Sequence, residues 1–410
     1  MIFRQIAHED LGCASYLVGD EDAGVAAVID PRLDIGEYLR LARYLGVSIE
    51  HILETHNHAD HVSGHGRLAA ATGALLHVHE LAAAEYEHEP FADGWELSLG
   101  DVIVRALHTP GHRPEHTAFL LIDTARGEEP WAVLTGDSLF VGDIARPDLA
   151  VEKREGARDI FSSLRGLLEL GDDVEVWPGH LGGSLCGGPA MDLKVSTTIS
   201  YERRPLDAEP LTPRQVELSN APVIDIRTAL QFDEAHIPGA ISNTVLQSGF
   251  GTRLAWIAGP DTPVVLVGRD DDDALRAAEL AAAVGVGRIA GYLAGGMTSW
   301  REERLPTQSI ARLTVPELHE RADELQILDV RERDEWEEGH IPGSRFTPYH
   351  DIRTLPDELD AARPIAVICA SGQRAAVGAS LIQRYGAREV FHVVDGGVPA
   401  WTRAGWPVTR

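Results

Sequence analysis

Hydrophobic positions in the first half of the chain come in short runs rather than long amphipathic repeats. Residues 14–30, ASYLVGDEDAGVAAVID, carry two apolar runs around the polar turn Asp20–Gly24, which predicts a pair of strands. The spacing over Ile35–Leu45 predicts a helix, and Ile49–Glu54 a short strand running straight into THNHADH. A second helix is expected over Val62–Ala71, after which short strands and helices alternate up to WPGH at 177–180. Mixed order of this kind suits an αββα sandwich, although the pattern alone does not single that fold out.

Beyond residue 205 the pattern repeats itself. Residues 223–241 read VIDIRTALQFDEAHIPGAI and residues 327–344 read ILDVRERDEWEEGHIPGS. Each copy runs apolar strand, D-[IV]-R, acidic helix, H-I-P-G. Each then has a buried strand ending at a loop, PVVLVGRD (263–270) or PIAVICAS (364–371), and closes on GG-x-x-x-W at Gly295–Trp300 or Gly396–Trp401. Strand–helix alternation over roughly 100 residues fits a small α/β domain with a parallel sheet. The expected organisation is therefore α/β and multi-domain, with domains at 1–205, 212–305 and 312–410. Linkers containing Pro and polar residues are expected near 203–211 and 305–313.

Length and composition agree with this division. A chain of 410 residues is too long for one ordinary core. With 44% hydrophobic and 24% charged residues, each domain can bury a normal one. The net charge of -28 argues against nucleic acid and anionic membranes, which attract basic surfaces. The three cysteines, Cys13, Cys186 and Cys369, are far apart and form no CxxC, so a reducing compartment is expected rather than a disulfide framework. The N-terminal MIFRQIAHEDLG has no apolar h-region and no run reaches membrane-spanning length, so a cytoplasmic location and no membrane partner are expected. The oligomeric state is left open, a homo-oligomer included.

The densest chemical signal is His56-Asn57-His58-Ala59-Asp60-His61. His56 and His58 are two apart, so at a strand end their side chains would project to one side. Further candidates each follow an apolar run: His112 in TPGH, Asp137 in VLTGD and His180 in VWPGH. Imidazole and carboxylate together suit Zn(II), Fe(II) or Mn(II). His65, His77, His79, His88 and His108 are read as ordinary. His116 is read likewise, with a place behind His112 as its alternative.

HxHxDH, TPGH, GD and PGH in this order resemble the metallo-β-lactamase superfamily. In its hydrolases the two HxH histidines and the TPGH histidine hold one zinc, and the DH pair, the later Asp and the last His hold a second. The chain keeps all of these, so a dinuclear zinc, glyoxalase II-like thioester hydrolase fused to a sulfurtransferase stays open. GDSLFVGDIARPDL (136–149) and PGHLGGSLCGG (178–188) resemble the persulfide dioxygenases instead. That resemblance implies one Fe(II) per chain, with Zn(II) as the alternative, held by His56, His112 and Asp137. His58, Asp60, His61 and His180 would then orient those ligands, or hold a second metal. It also implies that Arg146 binds a carboxylate of the thiol carrier; the alternative pairs it with Asp143 or Asp148. Cys186 resembles the GSxCG loop of that group and is read either as handling sulfur or as structural. Cys13 is read as a small core residue.

In the last repeat, Cys369 stands at the end of a buried strand before a loop that opens a helix. Backbone N–H groups and a helix N-terminus stabilise anionic sulfur there. The segment Cys369-Ala-Ser-Gly-Gln-Arg374 resembles the rhodanese active-site loop, with D-V-R, G-H-I-P-G and GG-x-x-x-W as flanking signatures. That assigns catalysis to Cys369 and Arg374, and substrate contact to Ser371, Gly372 and Gln373. Aligning PVVLVG with PIAVIC puts Gly268 where Cys369 stands, followed by Arg269 and four aspartates, so the first copy is expected to be inactive. Taken together, the resemblances imply oxidation of a low-molecular-weight thiol persulfide by O2 to sulfite and thiol. Sulfane-sulfur transfer through Cys369 would accompany it, with sulfite or thiosulfate as product, in sulfide detoxification.

Overall fold

The computed structural model describes every residue except 9, 148–149, 182–207, 248 and 260–261. Cys186, its GGSLCGG loop, Asp148 and positions 203–207 of the expected first linker lie outside the described residues. The chain divides into two compact units, Met1–Pro205 and Leu206–Arg410, apart from Ala282–Gly285, which clusters with the first.

In the first unit, β1 (Ile2–His8), β2 (Cys13–Asp20), β3 (Val25–Ile29), α1 (Gly36–Leu45), β4 (Ser48–Leu53), α2 (His65–Thr72), β5 (Leu75–His79) and β6 (Glu89–Phe91) come first. Their strands form a six-stranded sheet in the order β1-β2-β3-β4-β5-β6. Then follow β7 (Glu96–Leu99), β8 (Val102–His108), β9 (Thr117–Asp123), β10 (Ala132–Gly136), the hairpin β11 (Leu139–Phe140) and β12 (Asp143–Ile144), α3 (Lys153–Leu168) and β13 (Glu175–Pro178). The second sheet runs β13-β10-β9-β8-β7. Alternation along the strands sends one set of side chains to the middle: Tyr16, Val18, Ala27, Ile29 and Leu53 meet Leu99, Val102, Val104, Phe119, Leu121 and Leu134 in one core. The opposite face of the first sheet packs on Tyr38 and Ala42 of α1 and Leu68 of α2. The opposite face of the second packs on Leu164 and Leu167 of α3. The unit is thus an αββα sandwich.

Helix α2 starts at His65, three residues later than its periodicity predicts. The intervening segment is tied to the loop after β3 and to the end of β4 instead: Gly64 N–H donates to Pro31 O at 2.6 Å and the Ser63 hydroxyl to Glu54 at 2.5 Å.

The second unit holds the two repeats. The first comprises β14 (Pro210–Leu211), α4 (Pro213–Glu217), β15 (Val223–Asp225), α5 (Ala229–Glu234), β16 (Ile241–Ser242), α6 (Phe250–Ala258), β17 (Val264–Val267), α7 (Asp271–Ala283), β18 (Ile289–Leu293) and α8 (Gly296–Glu302). The second comprises β19 (Ala311–Leu313), α9 (Val315–Glu320), β20 (Gln326–Asp329), α10 (Arg333–Glu338), β21 (Arg345–Phe346), β22 (Ile365–Ile368), α11 (Gln373–Arg384), β23 (Val390–Val393) and α12 (Gly397–Arg403). Both sheets are parallel and share one order, β14-β18-β17-β15-β16 and β19-β23-β22-β20-β21. Asp225–Arg227 and Asp329–Arg331 form the same buried ion pair at the end of the same strand. Part of each expected linker is sheet: Pro210–Leu211 pairs with β18 and Ala311–Leu313 with β23. These are edge strands, so most of their side chains stay exposed and read as polar linker.

His77 on β5 is buried, and burial together with neighbouring His51 pushes its imidazole down to about 4. Because the folded value lies below the unfolded one, the unfolded chain takes the proton first. The contribution is fully present above pH ~6.5 and is lost as pH falls toward about 4. We therefore expect His77→Gln to lose on the order of 2 kcal/mol less than the parent between about pH 7.5 and pH 4.5. Urea unfolding followed by tryptophan emission reads this, and equal losses would contradict it.

Candidate metal centre and cysteine loop

The HxHxDH segment begins just past β4, which ends at Leu53. Strand alternation therefore does not govern His56 and His58. Their rings lie side by side, centroids 4.3 Å apart, but serve different neighbours. His112 follows β8, Asp137 follows β10 and His180 follows β13. Because β10 and β13 are parallel neighbours, their ends bring Asp137 and His180 together, with Gly179 N–H donating to Gly136 O at 2.7 Å.

His56, His112 and Asp137 converge, all buried. Asp137 Oδ2 lies 3.7 Å from His56 Nε2 and 3.5 Å from His112 Nε2. Those separations are close to what three ligands at about 2.1 Å from one divalent ion require. The hydrogen bonds fix the tautomer of His56. The Thr55 hydroxyl donates to Asp30 at 2.8 Å, so at 2.9 Å it accepts from His56 Nδ1–H. This leaves a lone pair on His56 Nε2, which is buried with no hydrogen-bond partner among the described residues. Burial, reinforced by the imidazoles of His58, His112 and His116, pushes His56 well below its usual range, so the ring is neutral. Burial lowers His112 too, against the pull of Asp137. Burial would raise Asp137, but His180 and His112 outweigh it and hold the carboxyl at about 2. Two neutral imidazoles facing an ionised carboxylate are in the protonation state that metal binding needs.

Around this triad the other motif residues are engaged in pairs. His180 spans two carboxylates, Nδ1 on Asp137 Oδ1 at 2.6 Å and Nε2 on Asp60 Oδ2 at 2.9 Å. Despite burial these carboxylates raise it well above its usual range. His58 Nε2 turns to Asp30 Oδ1 at 3.3 Å and Glu54 Oε2 at 3.2 Å. Those buried acids raise His58 against its desolvation. His58, Asp60 and His61 make a second group whose ligand atoms could share an ion. Arg146 is exposed, just past the β11–β12 hairpin.

Sequence reasoning missed Asp30, Glu54 and the place of His116. Asp30 and Glu54 each lie at a strand end with no motif to mark them. His116 is fully buried, its Nε2 accepts from Asp137 N–H at 2.9 Å and its Nδ1 meets Thr109 Oγ1 at 2.8 Å. It sits behind Asp137 and fixes the backbone that presents the carboxylate. Gly136, at φ +48, leaves room for it: a Cβ there would stand 2.7 Å from His116 Nε2.

In the last repeat Cys369 follows β22 and is fully buried. Its Sγ accepts from Gly372 N–H at 3.1 Å. Gly372, at φ +98, forms the turn into α11. Arg374 on the first turn of α11 is held by Glu335 of α10 at 2.5 and 2.8 Å, a partner that sequence reasoning did not identify. Ser371 is exposed, whereas Gln373 is half-buried. In the first repeat β17 ends at Val267, so Gly268 occupies the place of Cys369. Asp273 stands where Arg374 does and is paired with Arg269 at 2.6 Å. This loop carries no nucleophile, and its aspartates cap the start of α7, where the helix dipole favours them.

Residues 8–180 match the Metallo-beta-lactamase superfamily, and residues 212–303 and 314–404 each match the Rhodanese-like domain. The chain is therefore a metallo-beta-lactamase-superfamily domain followed by two rhodanese-like domains, and that fold implies a site for divalent metal ions. A hydroxyacylglutathione hydrolase of Rhodospirillum rubrum is 33% identical over 171 residues, 40% of this chain. The chain spans 60% of that relative's length. A crystal structure of a metallo-beta-lactamase from Staphylococcus aureus is 26% identical, with a TM-score of 0.64, over 72% of this chain and 99% of that one. A structure of ETHE1 from Myxococcus xanthus is 31% identical, with a TM-score of 0.40, over 45% of this chain and 78% of that one. Among the described residues no helix is long and apolar enough to cross a membrane.

If His116 positions Asp137, His116→Ala will weaken divalent-metal binding about 10–100-fold while the fold is kept. Competition against a chromophoric chelator measures this, with circular dichroism as the check on folding. Unchanged affinity would remove His116 from the site.

Proposed function

We propose that the first domain is a mononuclear iron persulfide dioxygenase and that Cys369 transfers sulfane sulfur. The observation that carries the first part is the segregation of the ligand set. His56, His112 and Asp137 converge by themselves, while His58 is turned to Asp30 and Glu54 and His180 is held between Asp60 and Asp137. A face of two histidines and one carboxylate leaves positions open for a substrate and O2. Bound there, Fe(II) would supply the redox chemistry that O2 needs. The resemblance of residues 136–149 to the persulfide dioxygenases supports the same reading. The overall reaction is RSSH + O2 + H2O → RSH + sulfite + 2 H+, in which the outer sulfur is oxidised and O2 reduced.

The chain's own residues have definite parts in this reading. Asp30 and Thr55 hold the His56 tautomer, and His116 and His180 hold Asp137. Arg146 would receive a carboxylate of the thiol carrier. At the second site the Cys369 thiolate attacks the sulfane sulfur of a donor. An Sγ–S bond forms, the donor S–S bond breaks, and the thiolate, or sulfite when thiosulfate is the donor, leaves with the electron pair. Gly372 N–H stabilises the sulfur and Arg374 the departing anion.

The second reading is a dinuclear zinc thioester hydrolase. It is favoured by the group His58, Asp60 and His61 and by the hydroxyacylglutathione hydrolase relatives. Oxygen uptake by Fe(II)-loaded protein on adding glutathione persulfide separates the two. Uptake lost by at least about 100-fold in His112→Ala and retained in Cys369→Ser is the expected result. No uptake, with hydrolysis of S-lactoylglutathione by zinc-loaded protein, would overturn the proposal.

A further inference from the structure

The rhodanese-like domain without a nucleophile reaches into the loop of the one that has it. Asp233 lies on α5 of the first repeat and is 3% exposed. Its Oδ2 is 2.8 Å from Nδ1 of His392 on β23 of the second. His392 Nε2 lies 2.7 Å from Gly372 O. A carbonyl only accepts, so Nε2–H must donate. The Nδ1···Oδ2 contact then also needs a proton, supplied by the ring or by the carboxyl. Gly372 is therefore held from both sides, its C=O by His392 and its N–H on Cys369 Sγ. Gln373, next in the loop, is reached from the first repeat as well. With its amide oriented to satisfy its neighbours, its oxygen accepts from both terminal nitrogens of Arg253 at 3.0 Å.

The repeat provides an internal control. The position matching Asp233 in the second copy is Glu337, which is exposed, and the strand position matching His392 in the first copy is Tyr292, which carries no imidazole. The pair exists once, in the one arrangement that serves a loop carrying a cysteine. Its cost also argues for a purpose: Asp233 Oδ1 is buried without a hydrogen-bond partner among the described residues, and Arg312 Nε approaches Oδ2 only to 4.0 Å.

We propose that Asp233 and His392 are positioning residues for sulfur transfer. Through them the nucleophile-free domain clamps Gly372 so that its N–H stays aimed at the Cys369 sulfur. This rests on the sulfurtransferase reading of Cys369. It gives the inactive repeat a task that its own loop cannot perform.

The test uses the full chain with Asp233→Ala, His392→Phe, His392→Gln and the double variant Asp233→Ala/His392→Phe. Glu337→Ala serves as the control. Amide hydrogen exchange over residues 369–374 reads the clamp, and sulfur transfer from thiosulfate to cyanide reads its consequence. Asp233→Ala and His392→Phe should each speed loop exchange about tenfold and lower kcat about tenfold, with KM within about twofold. His392→Gln, which keeps a donor for Gly372, should stay near the parent, as should Glu337→Ala. In the double variant Asp233→Ala should add nothing, because it acts through His392. A folded His392→Phe with parental exchange and transfer would overturn the proposal, and so would an additive double variant. If the parent transfers no sulfur while loop exchange follows the expected pattern, the sulfurtransferase reading fails and the clamp stands.

Discussion

The first domain depends on one buried carboxylate. Asp137 places Oδ2 against His56 and His112 and Oδ1 against His180, with its own N–H donated to His116. A buried anion this far from water is tolerable only if it is surrounded by donors or by a cation. The domain supplies both kinds of partner from separate strand ends. The two sheets are packed so that the ends of β4, β8, β10 and β13 meet, and the motifs far apart in sequence become one shell. The neutral state of His56 follows from the same burial, because a second charge would need a second anion beside it. A second set of buried acids, Asp30 and Glu54, takes His58 out of the triad. These two acids lie outside the recognisable motif.

The second unit shows what a duplicated fold can do with its spare copy. Both repeats keep the strand order, the buried Asp–Arg pair and the glycine after the last strand. Gly397 is needed because a Cβ there would collide with Cys369 O, and Gly296 faces Gly268 O in the same manner. The first copy has Gly268 and Asp273 where the second has Cys369 and Arg374, yet its helix α5 presents Asp233 to His392.

Much of the architecture was legible because apolar periodicity and local motifs coincide. The strands around Asp20–Gly24, helix Gly36–Leu45, the internal repeat and the place of Cys369 just past a strand all follow from short-range pattern. HxHxDH, TPGH, GD and PGH flag strand ends, so the gathering of their side chains was expected. Long-range pairings were not legible. Nothing near Glu335 in sequence indicates that it grips Arg374, and nothing near Asp233 points to a histidine 159 positions later. His116 looked ordinary because its role is exerted through a backbone N–H, which leaves no residue pattern. The late start of α2 and the edge strands Pro210–Leu211 and Ala311–Leu313 were obscured for a related reason: hydrogen bonds to distant backbone decided them, and periodicity did not.

Metal content tests the central claim most directly: that His56, His112 and Asp137 by themselves hold one ion. The protein would be loaded anaerobically with Fe(II), freed of excess metal and analysed for bound metal per chain, beside His56→Ala and His61→Ala. The account predicts about one ion in the parent and in His61→Ala, and less than about a tenth of that in His56→Ala. About two ions in the parent, with one lost in His61→Ala, would contradict it and assign the domain to dinuclear chemistry.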